Sequence, residues 1–453
     1  MSKRFPKEYH RQGRWSTFPG TPRSRQTARV RNNSRDTPAR ARSSIAEARQ
    51  VDYWDQYSRF VQNRAAKRIA SVDDARRLAR RRVPGVVFTY IDGGGGAGLT
   101  MKANRAAIES VQFRPQVGVT MGVPGPELAT SVLGFDVSMP VLMSPVGSTR
   151  MMSPLGDVAG VRAAGKAGII FTLSSMTGHE MGEVTAAASG PAWFQLYFFG
   201  GRPGAEQLVA RAKAAGFSAL VVTLDTQIPG NREREARIGL SPPIRLNRRT
   251  VVKMAPHVAL RPGWLVDLVH DRFQLELVNT ASIGPAEHPM SVPDALLHWI
   301  AAPPRWEDFA WLREHWDGPI LAKGIMTGDD AKRAVDAGAD AVIVSNHGGR
   351  QLDSVPASLQ SLVEVVDAVG DQVEVLVDGG FRRGEDVIKA VALGARAVMI
   401  GRVWAYGLAA AGQPGVDRML ALLREDLDRT LRLLGCASLA EVNRDHVRVP
   451  ADW

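Results

Sequence analysis

Cysteine is nearly missing: one residue, Cys436, stands in 453. A lone thiol cannot close an intramolecular disulfide, so a disulfide-stapled secreted scaffold is excluded, as is a zinc site built from cysteines. No metal site is assigned. Long apolar runs are missing too, and none approaches the roughly 18 residues that a membrane-crossing helix needs. There is no Cys-x-x-Cys-His haem-attachment sequence. No glycine-rich dinucleotide turn follows the first strand-like run. What remains is ordinary: hydrophobic residues at 45% and charged residues at 23% exclude wholesale disorder and a collagen-like fibre.

Acidic residues are scarce in one place only. Residues 1–50 hold 13 of the 57 Lys and Arg but 3 of the 46 Asp and Glu. Nearly all of the net charge of +11 therefore sits in that stretch, and the rest of the chain is close to neutral. Rich in Arg, Ser, Thr and Pro, the stretch buries too little apolar surface to offset its ordering entropy, so a disordered basic tail is expected at 1–50. It lacks the apolar core of a secretory signal. An organelle transit peptide, a polybasic segment drawn to anionic lipid and a plain solvated tail all fit its composition. It has no interleaved aromatics, so no nucleic-acid partner is expected. The expected location is cytoplasmic, with peripheral contact at the inner face of the cell membrane as the alternative.

The body alternates strand-like and helix-like patterns. Eight short apolar runs are expected as strands: Val141–Val146, Ile169–Ser174, Ala192–Tyr197, Ala219–Asp225, Ile320–Lys323, Ala341–Ser345, Val373–Asp378 and Ala397–Ile400. Helical patterns follow them at Gly204–Ala215, Gly328–Ala337, Ser358–Ala368 and Glu385–Leu393, and Gly216, Gly338 and Gly394 supply helix-ending chemistry. Continuous apolar strands separated by helices imply a parallel sheet covered by helices. Eight such units point to an α/β fold, a (β/α)8 barrel, with an open doubly wound sheet as the runner-up. Residues 51–139 are read as an N-terminal helical segment and barrel cap, with helices near 72–82 and 100–109. Residues 140–453 are read as the barrel, with a long insertion at 226–304 after the fourth strand. Within that insertion Trp264, Leu265, Val266, Leu268 and Val269 have the spacing of a short amphipathic helix, either ordinarily packed or serving as a lid or membrane-touching patch.

In such a barrel the site forms at the C-terminal ends of the strands, and the polar residues gather there. In chain order the ends give Pro145-Val146-Gly147, Ser174-Ser175, Gln195 and Tyr197, Thr223 and Asp225 followed by Arg232, Lys323, Asn346-His347-Gly348-Gly349-Arg350, Asp378-Gly379-Gly380-Phe381-Arg382-Arg383 and Gly401-Arg402. Glycine-bearing loops with Arg382 and Arg402 after the last two strands form an expected phosphate site. His347, between a strand end and two glycines, is positioned as a general base, with Arg350 as a partner for a carboxylate.

Together these segments resemble the FMN-dependent L-2-hydroxy acid oxidising family, which includes glycolate oxidase, lactate oxidase, L-lactate dehydrogenases and mandelate dehydrogenase. The matching stretches are PGVVFTYIDGG from Pro84, MSPVG from Met143, TLSS from Thr172, WFQLY from Trp193, TLD from Thr223, PGNRE from Pro229, AKG from Ala322, SNHGGRQLD from Ser345, DGGFRRG from Asp378 and IGR from Ile400. The resemblance implies FMN, held at its phosphate by Gly379, Gly380, Arg382, Gly401 and Arg402 with Asp378 nearby. It implies Pro145, Val146 and Gly147 along the flavin, hydrogen bonds to the ring from Ser174, Gln195 and Thr223, and Lys323 beside its N1 and O2. His347 would be the base, supported by Asp225. Arg232 and Arg350 would clamp the substrate carboxylate, with Tyr90 and Tyr197 also on the substrate. Electrons would pass from the α-carbon to flavin N5. The reduced flavin's negative charge suits a cation at Lys323, and two planar guanidinium groups suit a carboxylate.

Two positions depart from the commonest pattern. Gly147 stands where many members have alanine, which is expected to leave room for a larger side chain, and Met176 stands where some carry tryptophan. The expected substrate is a small L-2-hydroxy acid, lactate-like or larger. A peptide-modifying branch of the premycofactocin synthase type shares the barrel and is the alternative, as is an oxygen-using oxidase. The expected electron acceptor is a quinone or cytochrome, with oxygen as the other option, and the resemblance implies a homotetramer.

Overall fold

Strand pairing closes on itself. The computed structural model describes residues 56–119, 125–238, 255–272, 274–281, 283, 288–291, 303–451 and 453. The tail at 1–50, and the parts of the 226–304 stretch at 239–254 and 292–302, lie outside the described residues. The barrel strands are β1 (Val141–Met143), β2 (Phe171–Ser174), β3 (Ala192–Leu196), β4 (Ala219–Thr223), β5 (Ile320–Ile325), β6 (Ala341–Val344), β7 (Glu374–Asp378) and β8 (Ala397–Ile400). They pair in sequence order, all parallel, and β8 returns to β1. All eight expected runs are strands, and the closed barrel replaces the open-sheet alternative. The differences lie at the ends. The runs expected to reach Val146, Tyr197 and Asp225 leave the ladder at Met143, Leu196 and Thr223, where the chain turns into the loops that line the site. β5 runs further than expected, through a register shift between Lys323 and Ile325. Gly324 there has φ +105, and a Cβ on it would lie 2.7 Å from the Asp225 Cβ.

The strands are buried on both faces, as a parallel sheet inside a helical ring requires. Side chains such as Leu142, Trp193, Val221, Ile343 and Leu376 fill the barrel itself. A two-stranded ribbon, Thr130–Val132 with Phe135–Val137, covers one end, where Phe135 packs edge-on against Trp193 with centroids 6.4 Å apart. The outer ring includes α4 (Gly156–Ala167), α5 (Met181–Ala186), α6 (Arg202–Ala215), α9 (Glu307–His315), α10 (Gly328–Asp336), α11 (Ser358–Val369), α12 (Gly384–Ala392) and α13 (Arg402–Leu434). The four helices expected from periodicity are all present, with ends shifted by one or two residues. α13 is kinked at Ala411–Gly412, just before Pro414, which cannot donate to the helical ladder.

The helices that precede the barrel include α1 (Val72–Arg82), α2 (Gly85–Asp92) and α3 (Leu99–Ser110). α1 is well punctuated. Ser71 accepts from the Asp74 N–H, acids occupy the first turn and three arginines the last, matching the helix dipole. α3 is capped from far away in sequence: Asp353 accepts from the backbone of Thr100 at 2.8 Å and of Leu99 at 3.2 Å. One turn later, buried Asn104 exchanges two 2.8 Å hydrogen bonds with the Asn346 side chain and accepts from the Ser358 N–H at 3.0 Å. These contacts fix the loop after β6 to the N-terminal helices. Asn104→Ala strands a buried amide and a buried N–H. It is expected to cost about 2–3 kcal/mol, read as a lowered thermal midpoint of the cofactor-free protein. An unchanged midpoint would contradict this account of the loop.

Candidate active site

The C-terminal ends of the strands surround a cavity of about 370 Å³. Pro145, Val146 and Gly147 line it after β1, Ser174 from β2, Gln195 and Tyr197 from β3, Thr223 from β4 and Lys323 from β5. His347 and Arg350 follow β6, Asp378, Gly379, Gly380 and Arg382 follow β7, and Gly401 and Arg402 follow β8. Tyr90 of α2 and Arg232, just before α7 (Glu233–Arg237), complete the wall. Of the residues given a role at the site, only Asp225 is not on the wall. It stands behind His347, with its carboxylate oxygens 3.1 and 3.2 Å from Nδ1.

That pair is electrostatically organised. Burial alone would raise the Asp225 carboxyl, but the His347 ring and the Lys323 ammonium together hold it below the ordinary carboxylate range. A charged Asp225 at Nδ1 holds the ring proton there and leaves the opposite nitrogen free to accept one. His347 adopts φ +57 and is followed by Gly348 and Gly349 at +64 and +71, a left-handed run that β-branched residues would not tolerate. The Ser345 hydroxyl steadies this turn. It accepts from the His347 N–H at 3.0 Å, accepts from Lys323 Nζ at 2.6 Å and donates to Asp378 at 2.6 Å. Lys323, almost fully buried, also pairs directly with Asp378 at 2.9 Å. Asp378 is thus the counter-charge of Lys323.

A second polar chain runs along the wall. The Ser174 hydroxyl donates to Gln195 Oε1 at 3.2 Å, and Gln195 Nε2 donates to the Thr223 hydroxyl at 3.0 Å. The Tyr90 hydroxyl donates to the Gly147 carbonyl at 3.1 Å. Tyr197 is buried, and that burial together with the nearby Asp225 charge pushes its hydroxyl above the ordinary tyrosine range.

Two half-buried cations are held without carboxylates. Arg402 donates to the backbone carbonyls of Ile91, Gly348 and Gly93 at 3.1, 2.9 and 2.6 Å. Desolvation brings its guanidinium down to about 10. Arg382 lies over the Tyr406 ring, 5.6 Å from its centroid. Neither makes an ion pair with an acidic side chain among the described residues. Beside them Gly401 opens α13, whose first turn carries no acid, and a Cβ built on Gly401 would meet nothing closer than 3.8 Å. Uncompensated half-buried guanidinium groups at a helix N-terminus, with bare backbone between them, fit a phosphate dianion. The hydrogen-bonding chain and Lys323 fit the polar edge of a planar heterocycle such as a flavin.

The signature of the FMN-dependent dehydrogenase family matches residues 79–449. The chain belongs to that family. It is 41% identical over 379 residues to an L-lactate dehydrogenase of Caulobacter vibrioides, covering 83% of this chain and 96% of the relative. It is 43% identical over 384 residues to a pre-mycofactocin synthase of Mycobacterium tuberculosis, covering 84% and 94%. Among solved structures it resembles one described as the monotopic membrane protein (S)-mandelate dehydrogenase, with a TM-score of 0.78 and 36% identity, covering 84% of this chain and all of that one. The protein is an FMN-dependent oxidoreductase of the 2-hydroxy acid dehydrogenase and oxidase family, acting on CH–OH donors.

Two features of this family member escape a reading of its sequence, and a third is legible there only as a short amphipathic helix. The first is Glu235. It is buried, lines the cavity and lies 3.4 Å from Arg232 and 3.7 Å from Arg350. Arg350 otherwise rests on the carbonyls of Tyr90 and Gly93, at 2.8 and 3.0 Å. Burial and the neighbouring Arg232 bring it down to about 9. The Arg232–Glu235 spacing of three on one helical turn is the only sequence signal, and it sits inside a charge run that resembles a solvated face. The second is that Gly147 does not leave open space: a Cβ there would lie 2.7 Å from the Met176 Cβ. The two departures from the common pattern touch each other, and Met176 fills the room that Gly147 vacates. The third is the roof. α8 (Pro262–His270) carries Trp264, which lines the cavity and donates to the Met151 carbonyl at 2.8 Å. Asp267 pairs with Arg82 at 2.8 Å, and Asp271 follows with Arg150 at 2.7 Å.

Glu235 leaves one net positive charge for an incoming anion. Glu235→Gln is expected to raise affinity for oxalate relative to glyoxylate by about tenfold, the scale of one added unit charge across a partly screened gap. Inhibition constants for the two anions check this, and an unchanged ratio would contradict it.

Proposed function

We propose that this enzyme oxidises a small, L-lactate-like L-2-hydroxy acid to the 2-oxo acid. The observation that carries the reading is the His347–Asp225 pair facing the same cavity as Arg232 and Arg350. Arg232 and Arg350 take the substrate carboxylate, and Tyr90 and Tyr197 take its remaining oxygens. That grip places the α-hydroxyl toward His347, which accepts its proton. Asp225 then stabilises the imidazolium. Bound FMN supplies the two-electron acceptor for the α-carbon. Arg382, Arg402, Gly379, Gly380 and Gly401 hold its phosphate, while Ser174, Gln195, Thr223 and the backbone of Pro145, Val146 and Gly147 orient the ring. Lys323, balanced by Asp378 and Ser345, favours added negative charge nearby.

The onward acceptor is proposed to be a quinone or cytochrome, and the working form a cytoplasmic homotetramer with peripheral membrane contact. Among the described residues no helix is long and apolar enough to cross a membrane. The domain reading is a basic tail at 1–50, a cap at 51–139 and a barrel at 140–453 with an insertion at 226–304. A second reading, a larger peptide-derived substrate, draws support from the 43% identity to the pre-mycofactocin synthase. The arginine pair with its internal Glu235 favours the small acid.

His347→Gln tests the assignment. It is expected to retain FMN, identified by mass after heat release, and to slow anaerobic flavin reduction by at least about 10²-fold, the lower range for losing a general base. Reduction at the wild-type rate would remove His347 from the mechanism.

A further inference from the structure

α2 separates two cavities. One side faces the active site, and the other lines a second cavity of about 470 Å³. Arg76 and Arg80 of α1, Arg234 of α7, and His257 and Arg261 just before α8 open into it. A single carboxylate, Asp92, shares that wall, and it is already used. Arg76 takes its two oxygens at 2.5 and 2.8 Å, and the Tyr406 hydroxyl donates to it at 2.6 Å. Arg234 comes only within 3.8 Å of it. Arg261 donates to the carbonyls of Leu260 and Arg80 at 3.0 and 3.3 Å, and its buried Nε has no partner among the described residues. Arg80 makes no ion pair among the described residues.

The stretch that leads into α8 adds cations without acids. From 238 to 261 it carries Arg245, Arg248, Arg249, Lys253, His257 and Arg261 and no Asp or Glu. Several cations around one saturated carboxylate leave surplus positive charge in a concave site, where the walls concentrate its field. Guanidinium forks match the oxygen geometry of phosphate, and Phe88 and the exposed Leu260 add an apolar side. We propose that this pocket is a second anion site, separate from that of the FMN phosphate, which binds the phosphate dianion of a small organic molecule. The dianion comes either from a free phosphorylated compound or from a lipid headgroup.

The test is calorimetric titration of the FMN-loaded full chain with inorganic pyrophosphate at low ionic strength. The expected result is one saturable site per chain with unchanged flavin absorbance. Arg80→Gln and Arg234→Gln should each weaken it by about tenfold, the scale of one charge-assisted hydrogen bond, with turnover unaltered. Phosphatidic acid vesicles that compete with pyrophosphate, where phosphatidylcholine vesicles do not, assign the site to a lipid headgroup. Absence of competition assigns it to a free phosphorylated compound. No saturable binding, binding that displaces flavin, or binding that both variants leave intact would overturn the proposal, the last placing it on the basic tail.

Discussion

The C-terminal end of α2 holds two of the site's half-buried guanidinium groups, and much of the remaining geometry depends on that grip. The carbonyls of Tyr90, Ile91 and Gly93 accept from Arg350 and Arg402. Removing a guanidinium from water costs several kcal/mol, while each charge-assisted hydrogen bond returns about 1.5–3 kcal/mol. The negative end of a helix dipole adds a further fraction. Carbonyl anchors have a consequence that carboxylate anchors would not: they fix a cation without neutralising it. Arg402 therefore keeps its full charge for a cofactor phosphate, while Arg350 and Arg232 share Glu235 and keep one net positive charge for a substrate carboxylate.

The loop after β6 is built on the same logic of backbone and long-range anchors. Its two ends are tied to α3 through Asn346 and Asp353. Between them Gln351 donates to the carbonyls of Asp225 and Ile228 at 3.1 and 2.9 Å and accepts from the Gly230 N–H at 3.1 Å. The loops after β4 and β6 are thereby locked together, which sets the His347–Asp225 distance and the separation of Arg232 from Arg350. The left-handed backbone at His347 is tolerated because so many partners determine it. Rigid positioning of this kind lets a general base act without reorganisation.

Much of this was legible beforehand. The eight apolar runs, their glycine punctuation and the polar residues at their C-terminal ends fixed the barrel and the site's location, because both follow from local periodicity and a single topological rule. What was not legible depends on contacts with no local signature. The α2 carbonyls carry no side-chain information. The pairing of Lys323 with Asp378 spans two strands, and the contact of Gly147 with Met176 depends on a distance of a few ångströms between different loops. Glu235 was hidden because a charged helical turn reads as solvated until its burial is known.

The central claim is that a carboxylate, held by Arg232 and Arg350, presents an α-hydroxyl to His347. Anaerobic mixing of the wild-type holoenzyme with matched L-2-hydroxy acids, their D enantiomers and the corresponding amides, followed by flavin absorbance, tests it most directly. The account predicts rapid bleaching by the L acids and bleaching at least about 10²-fold slower by the neutral amides, which cannot make the paired charge-assisted bonds. Amides that bleach the flavin as fast as the acids would contradict it.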